Sequence, residues 1–530
     1  MKIIVDTYCA VLMDVISIQK YIFSSNELRY NLGASHMVKT LFEDNAAEAI
    51  KKACNINDEE RIRRVMAEWR NNPDKILMEE DASIPFEIGV SGGGKALIFF
   101  REKDTADDTA RKFIKIFTKS LLIDAPGLQL AVAKEDNFPL QEGFAEQLVK
   151  LFEQLIINRN QYFPVTTLPM HGITATGSEV GTGLNIFSEQ RKKYLSCEAE
   201  AKITAAEKAA KALQRDYTEE LKGYHFTEQV DQLGQVEGDS YTAIVHIDGN
   251  GIGNWFQKSS NLADYRARSI NMQRITEDSF RTIISEVVDM VDKLKDVPGF
   301  AIKDNLPLRP LIQGGDDLTF ICHGKLGLYL AERFLNIWTQ KANQELNDLP
   351  VGGFSACAGV AIAKTKYPFY RTYKVAEELC SLAKECHREK GGSWLDFYII
   401  SGTKSGSISN IRKEEHVSHG LQLYFGPYII DNKNDNKALG YLKDGIRGFY
   451  EDRFWTGPHL KELRAAFNSG SEVLNTLLID MAARGGFLPN KGHEKYDKNY
   501  SDKGYIDKET PYFDMLEIME FYPRFLLERG

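Results

Sequence analysis

Three acidic residues carry the chemistry open to this sequence. Asp248 closes an apolar, β-branched run, YTAIVHID, and Asp316 and Asp317 stand at the tip of LIQGGDDLTFI, between two further apolar runs. A strand end beside a hairpin tip would bring all three carboxylates to one point. Clustered carboxylates repel, and burying one without a partner is costly. A hard divalent cation removes that penalty, and Mg²⁺ takes a few carboxylates together with phosphate oxygens. Two such ions, about 4 Å apart, would activate an attacking hydroxyl and stabilise a departing pyrophosphate. Gly314 and Gly315 permit a tight turn and the close approach of a substrate. Gly249-Asn250-Gly251 opens towards a helix, where exposed N–H groups would hold a triphosphate. A plain β-turn also favours Gly and Asp; the flanking strands and the placement of Asp248 argue for a site.

The elements that must position these residues read as β-α-β-β-α-β, the ferredoxin-like order. Periodicity predicts strands at 241–248, 308–313, 318–323, 354–362 and 394–400, with helices over 261–295, 326–345 and 371–389. The same order stands earlier in the chain. Strands at 8–16, 84–91, 95–102 and 127–134 alternate with helices over 33–52, 105–120 and 140–157. The predicted fold class is therefore α+β, an internal duplication of two ferredoxin-like domains. In the first copy Asp14 matches Asp248, and Ser91-Gly92-Gly93-Gly94-Lys95 matches Gln313 to Asp317. That copy lacks both hairpin carboxylates. It should not hold two metals, and Lys95 is either a phosphate contact or a solvated lysine.

Expected boundaries are 1–175 for the first domain, 176–236 for a helical linker, 237–400 for the second domain and 401–530 for a helical C-terminal domain. Residues 188–233, rich in Glu, Lys, Ala and Gln, read as a solvated helical connector. Residues 401–410 read as a Gly/Ser linker and 496–510 as a mobile loop.

Composition narrows the class. The chain has 530 residues, 43% of them hydrophobic, and a formal net charge of −9. Such a chain does not coat nucleic acid by bulk attraction. No apolar run reaches the length of a membrane helix, and the N-terminus reads as a strand without a signal peptide. Seven scattered cysteines without a CxxC suggest reduced thiols in a cytoplasm and exclude a Cys₄ zinc ribbon.

LIQGGDDLTFI, AIVHIDGNGIGNW and FSACAGVAIAKTKYPFYRTYKVAEELCSLAKE resemble the second Palm domain of the large polymerase-like subunit of type III CRISPR effector complexes. The front end, Asp14 to Phe23 with Leu28-Arg29 and Gly33-Ala34-Ser35, is similar to that family's first Palm domain. The resemblance implies two Palm (nucleotidyl cyclase) domains and a metal-dependent nucleotidyltransferase that turns ATP into cyclic oligoadenylate, an antiviral messenger, when target RNA is bound. It implies Mg²⁺ or Mn²⁺ on Asp248, Asp316 and Asp317. It also implies nucleotide contacts at Gly33, Ala34, Ser35, Gly249, Asn250, Gly251, Gly314, Gly315, Lys364 and Lys384. The implied partners are the other effector subunits, guide RNA and target RNA, in the cytoplasm and away from membranes. Two rival activities remain: transfer of AMP to a small acceptor such as S-adenosylmethionine, and a catalytically silent scaffold. The chain departs from many members in beginning at the first Palm strand, so no His-Asp nuclease domain is expected. It also lacks cysteines around Leu168 to Gly172, so no zinc is expected.

Of the remaining residues, His36 and His246 are site contacts or packing histidines. Arg61, Arg63 and Arg64 are an RNA or partner contact or a solvated helix face. Tyr367, Phe369, Tyr370 and Tyr373 are an adenine stack or core. Cys357, Cys380 and Cys386 read as small apolar residues.

Overall fold

Two strand-end aspartates begin two sheets. The computed structural model describes residues 8–101, 106–161, 173–189, 191–236, 238, 240–402, 406–432, 435–489 and 500–527. The apolar front run forms β1 (Tyr8–Ile16), eight of whose nine residues are buried. It leads into the short α1 (Ile18–Ile22), the long α2 (Leu28–Cys54), α3 (Glu59–Asn71) and α4 (Leu77–Glu80). The hairpin of β2 (Phe86–Gly92) and β3 (Lys95–Arg101) follows, then α5 (Ala106–Asp124), β4 (Gln129–Phe138) and α6 (Phe144–Gln161). The strand order is β2-β3-β1-β4, the antiparallel order of a β-α-β-β-α-β unit.

A small ribbon of β5 (Ile186–Ser188) and β6 (Lys193–Leu195) leads to α7 (Cys197–Asp216) and α8 (Thr218–Leu221). The earlier order then recurs in β7 (Tyr241–Gly249), α9 (Ile252–Gln257), α10 (Leu262–Lys295), β8 (Leu308–Gly314), β9 (Asp317–His323), α11 (Gly327–Glu345) and β10 (Ala356–Lys364). The crossover helix α12 (Phe369–Lys390) returns the chain to β11 (Trp394–Ile400), parallel to β10. Next come α13 (Ile408–Glu415), the pair β12 (Val417–Ser418) and β13 (Leu421–Gln422), and β14 (Tyr428–Ile429). The second sheet is ordered β14-β11-β10-β7-β9-β8. Helices α14 (Leu439–Glu451), α15 (Gly457–Ser469) and α16 (Ser471–Ala483) follow, and among the described residues beyond them are a helix over Tyr512–Ile518 and a short one over Arg524–Leu527.

The two halves agree in register. Gly92 pairs with Lys95 and Gly314 with Asp317 at the hairpin tips. Each outer strand carries one unpaired bulge residue three positions before the tip, Gly89 on β2 and Leu311 on β8. Asp14 pairs with Lys95, while Ile247 pairs with Leu318 and so carries Asp248 beside Asp317.

Strand β7 is buried on both faces. Ala243, Val245 and Ile247 join the core beneath α10 and α11. Ile244 faces the core shared with the first sheet, and alternation puts His246 and Asp248 on that same face.

Three expectations need correction or restriction. The segment 188–233 is no solvated connector: Ala199, Ile203 and Ala206 of α7 are buried, and Lys202 is fully enclosed. It donates to Tyr21 O at 2.7 Å, Ser24 Oγ at 2.8 Å and Glu198 at 2.6 Å. Burying small alanines against α2 lets the two helices approach closely, which composition alone hid. Of the linker 401–410, residues 403–405 lie outside the described residues and 408–410 already belong to α13. Of 496–510, residues 496–499 lie outside them too. Among the described residues no helix is long and apolar enough to cross a membrane.

Candidate active site between two hairpins

Asp248, Asp316 and Asp317 converge. One carboxylate oxygen from each lies within 4.8 Å of the others, and all three side chains are half-buried. Gly249 makes this possible. A Cβ there would stand 2.9 Å from both the Cβ and Oδ2 of Asp316. Burial and the neighbouring Asp248 push the Asp316 carboxyl up to about 6. Burial, Asp248 and Asp316 together hold Asp317 well above the ordinary carboxylate range. Lys384 of α12 forms an ion pair with Asp248 and donates to Gly249 O at 3.3 Å. Burial would lower its pKa, but Asp248 outweighs that and holds the ammonium charged. One lysine against three carboxylates leaves an excess of negative charge, the donor set that a hard divalent cation suits.

A cavity of about 720 Å³ lies between the hairpins, with Asp14, Gly92 to Lys95 and Arg159 on one side and Gln313, Gly314 and Asp317 on the other. The tips touch: a Cβ on Gly314 would lie 3.1 Å from the Cα of Gly93. Gly315, at φ +59, has open space around its missing Cβ.

The other expected contacts divide. Ser35 lines the cavity and donates to Leu311 O at 2.5 Å. Ala34 is buried, and Gly33 faces away, where a Cβ would collide with Lys202 O at 1.7 Å. Gly33 is therefore a helix-packing glycine between α2 and α7. Asn250 is a buried brace, with its N–H on Ser355 O at 2.9 Å and its amide on Ser355 Oγ at 3.0 Å. Gly251 sits at φ +70 as the first residue before α9. Lys364 is corrected. It pairs with Tyr241 at one end of β10, while Asp248 pairs with Cys357 seven residues away, about 23 Å along the strand. The rise of an extended strand puts it out of reach of the carboxylates.

His246 lines the cavity and is buried, which pushes it down to about 4, so it is neutral near pH 7. Its Nδ1 lies 2.9 Å from Thr319 Oγ1, and its ring meets Tyr373 edge-on at 5.8 Å. His36 also lines the cavity, and burial lowers it. Phe369 and Tyr373 pack on Phe23 at 5.7 and 4.0 Å, which makes them core; Tyr370 is exposed. Arg61 bonds Ser83 and Arg63 pairs with Glu59 on the outer face of α3. Cys357 and Cys380 are buried and Cys386 half-buried.

Sequence reasoning missed Arg159, Gln273, Arg274 and Arg309, which also line the cavity. Arg309 left one signal, a charge inside the apolar run LRPLI. The others look like solvated polar residues of helices and gave none.

The family model for "Cas10/Cmr2, second palm domain" matches residues 241–391. No curated protein matches the sequence. Among solved structures, Csm1 of T. onnurineus is similar at 14% identity and a TM-score of 0.52, over 97% of this chain and 69% of that one. A Csm1–Csm4 cassette in complex with cA3 is similar at 12% identity and a TM-score of 0.52, over 98% and 70%. The same cassette in complex with cA4 gives 12% and 0.50, over 97% and 70%. At such identities the likeness is one of fold.

Proposed function

We propose that this chain, whose residues 241–391 match the family model for the Cas10/Cmr2 second palm domain, is the nucleotidyltransferase subunit of a type III CRISPR effector and makes a cyclic oligoadenylate from ATP. The observation that carries this reading is the convergence of Asp248, Asp316 and Asp317 beside a cavity bounded by two hairpins. Similar folds have been solved with cA3 and cA4. In this reading the first Palm domain spans 1–175, a helical linker 176–236, the second Palm domain 237–400 and a helical domain 401–530. A Csm4-like subunit, guide RNA and target RNA are its partners, target RNA switches it on, and its compartment is the cytoplasm.

Asp248, Asp316 and Asp317 would hold Mg²⁺ or Mn²⁺, and the raised carboxyls of Asp316 and Asp317 fit that role. When bound, the ion supplies positive charge against the triphosphate and lowers the pKa of the attacking hydroxyl. The chain's own residues do the rest. Lys384 keeps one fixed positive charge beside Asp248. Gly315, with open space where its Cβ would stand, leaves room for a close substrate, while Gly249 makes room for Asp316 and Gly314 for the facing tip at Gly93. The cavity wall, with Lys95, orients the nucleotides, and Ser35 lines that wall while bonded to Leu311 O. The hydroxyl oxygen of one nucleotide attacks the α-phosphorus of another. A new P–O bond forms, the bond to the β-phosphate breaks, and pyrophosphate leaves. Positioning and charge stabilisation supply the rate.

The test is incubation of the protein, alone and in its native complex with target RNA, with labelled ATP and Mg²⁺, and mass spectrometry of the products. Asp316→Ala/Asp317→Ala should abolish product, by about 10³-fold or more. Unchanged product in that variant would defeat the site. A linear AMP adduct formed only with added S-adenosylmethionine would give the acceptor reading, and no ATP consumption in any preparation would give the scaffold.

A further inference from the structure

The two hairpins are held crosswise. On the first, the bulge residue is Gly89. Its carbonyl accepts from Arg266 Nε at 3.1 Å. Arg266 belongs to α10, the helix that follows the strand of the other half. The same guanidinium donates to Ile88 O, to Lys75 O at 3.0 Å and to Glu87 Oε1 at 2.7 Å. Both side chains of the Arg266–Glu87 pair are fully enclosed.

On the second hairpin the bulge residue is Leu311. Its carbonyl accepts from Ser35 Oγ at 2.5 Å. Ser35 belongs to α2, the corresponding helix of the first half. Each bulge thus sits three residues before its tip, and each is bonded by a side chain from the opposite half.

A bulge leaves its residue without a ladder partner and bends the strand. Its direction is then set by whatever satisfies the freed carbonyl. Here that is a residue of the other half, so the course of each hairpin depends on the opposite helix. The tips these strands lead to abut at Gly93 and Gly314, and Asp316 and Asp317 follow directly. Arg266 contributes nothing to the cavity lining, so it acts only through the strand it grips.

We propose that Arg266 and Ser35 are reciprocal positioning residues: each clamps the bulge carbonyl of the opposite hairpin, and together they fix the spacing of the two tips at which the nucleotides meet. The catalytic part of this inference rests on the ATP-using reading above.

The test compares Arg266→Lys and Ser35→Ala with Arg268→Lys, in the complex used for turnover. Arg268 is a buried neighbour that bonds Asp264, Asp348 and Trp255 O, away from both hairpins. Three quantities are read: kcat, KM for ATP, and amide hydrogen exchange at 90–94 and 312–317. Arg266→Lys keeps the charge but loses the fork. It should lower kcat by about tenfold or more while KM stays within about threefold. Exchange should quicken at both hairpins, since the tips lean on each other. Ser35→Ala should act in the same direction by severalfold, and Arg268→Lys should change none of the three. Unchanged kcat and exchange in both variants would overturn the proposal. So would a rise in KM at constant kcat for Ser35→Ala, which would make Ser35 a plain nucleotide contact. If Arg266→Lys does not fold, Ser35→Ala, which removes a single hydroxyl, decides on the same criteria. Absence of product from ATP in the unmodified protein defeats the ATP reading alone; the clamps then stand or fall by hydrogen exchange.

Discussion

The hairpin at 91–95 and the hairpin at 313–317 share register, bulge position and a strand-end aspartate, yet only the second gathers carboxylates. The difference lies in two exchanged positions. In the second half a glycine follows the strand-end aspartate, and Gly249 leaves room for Asp316. In the first half that place is Val15, and the hairpin residue facing it is Gly94, at φ +79. A Cβ on Gly94 would meet Ile18 at 2.4 Å and Val15 at 3.5 Å. Bulk has moved from the hairpin to the strand. The charge has turned as well. Lys95 stands where Asp317 does, and Asp14 is paired with Arg159 at 3.4 Å. The first half thus meets its buried aspartate with fixed cations of its own, whereas the second leaves an excess of negative charge. One scaffold gives two electrostatic outcomes through a few substitutions, and the backbone is indifferent to them.

That contrast can be attacked from several sides. The harshest is Asp317→Lys, which gives the second hairpin the first one's residue. Product from labelled ATP should fall by about 10³-fold or more while the fold persists, since Lys95 occupies the same register beside Asp14. Next is Gly249→Val, which borrows Val15. Its side chain should displace Asp316, lowering turnover about 10²-fold and stability by about 1–3 kcal/mol in urea melts.

A third test uses pH. Asp316 is pushed up to about 6 and Asp317 well above the usual range. A raised carboxyl binds its proton more tightly in the folded state, so folding is favoured below its folded pKa and that favour is lost as pH rises through it. With chelator present, the melting temperature of the unmodified protein should therefore gain on that of Asp316→Asn/Asp317→Asn as pH falls from about 8 to about 5. Added Mg²⁺ should narrow that gain. Taking the difference cancels the other buried groups, among them Asp14, raised by burial against the pull of Lys95 and Arg159, and His246, His323 and His416, which burial pushes down to about 4 and which act with the opposite sign. The gentlest test is Lys95→Ala. Lys95 is exposed, so the melting temperature should move by no more than about 2 °C, and Mn²⁺ titration of the second hairpin should be unchanged.

Much of this was legible in the chain. Long apolar runs ending in Asp, and Gly-rich tips between them, gave both hairpins, because strand and turn preferences are local. The second copy's strand at 394–400 falls where periodicity put it. The connector failed because α7 packs through alanines, and its charged composition resembles a solvated helix. Lys364 failed because family likeness ignores the distance along a strand. Arg266 was invisible, since an arginine in a helix of mixed charge is ordinarily solvated.

The sequence by itself determined the elements, their repeated order and the three carboxylates, because hydrophobic period and turn residues act over a few neighbours. Only the tertiary structure decided which side chains meet: Arg266 on Gly89 and Ser35 on Leu311 across the two halves, and Lys384 on Asp248 within the second. Those contacts join residues far apart in the chain, and they are fixed by how two sheets and their helices share one core, a property of the packed whole that no local pattern encodes.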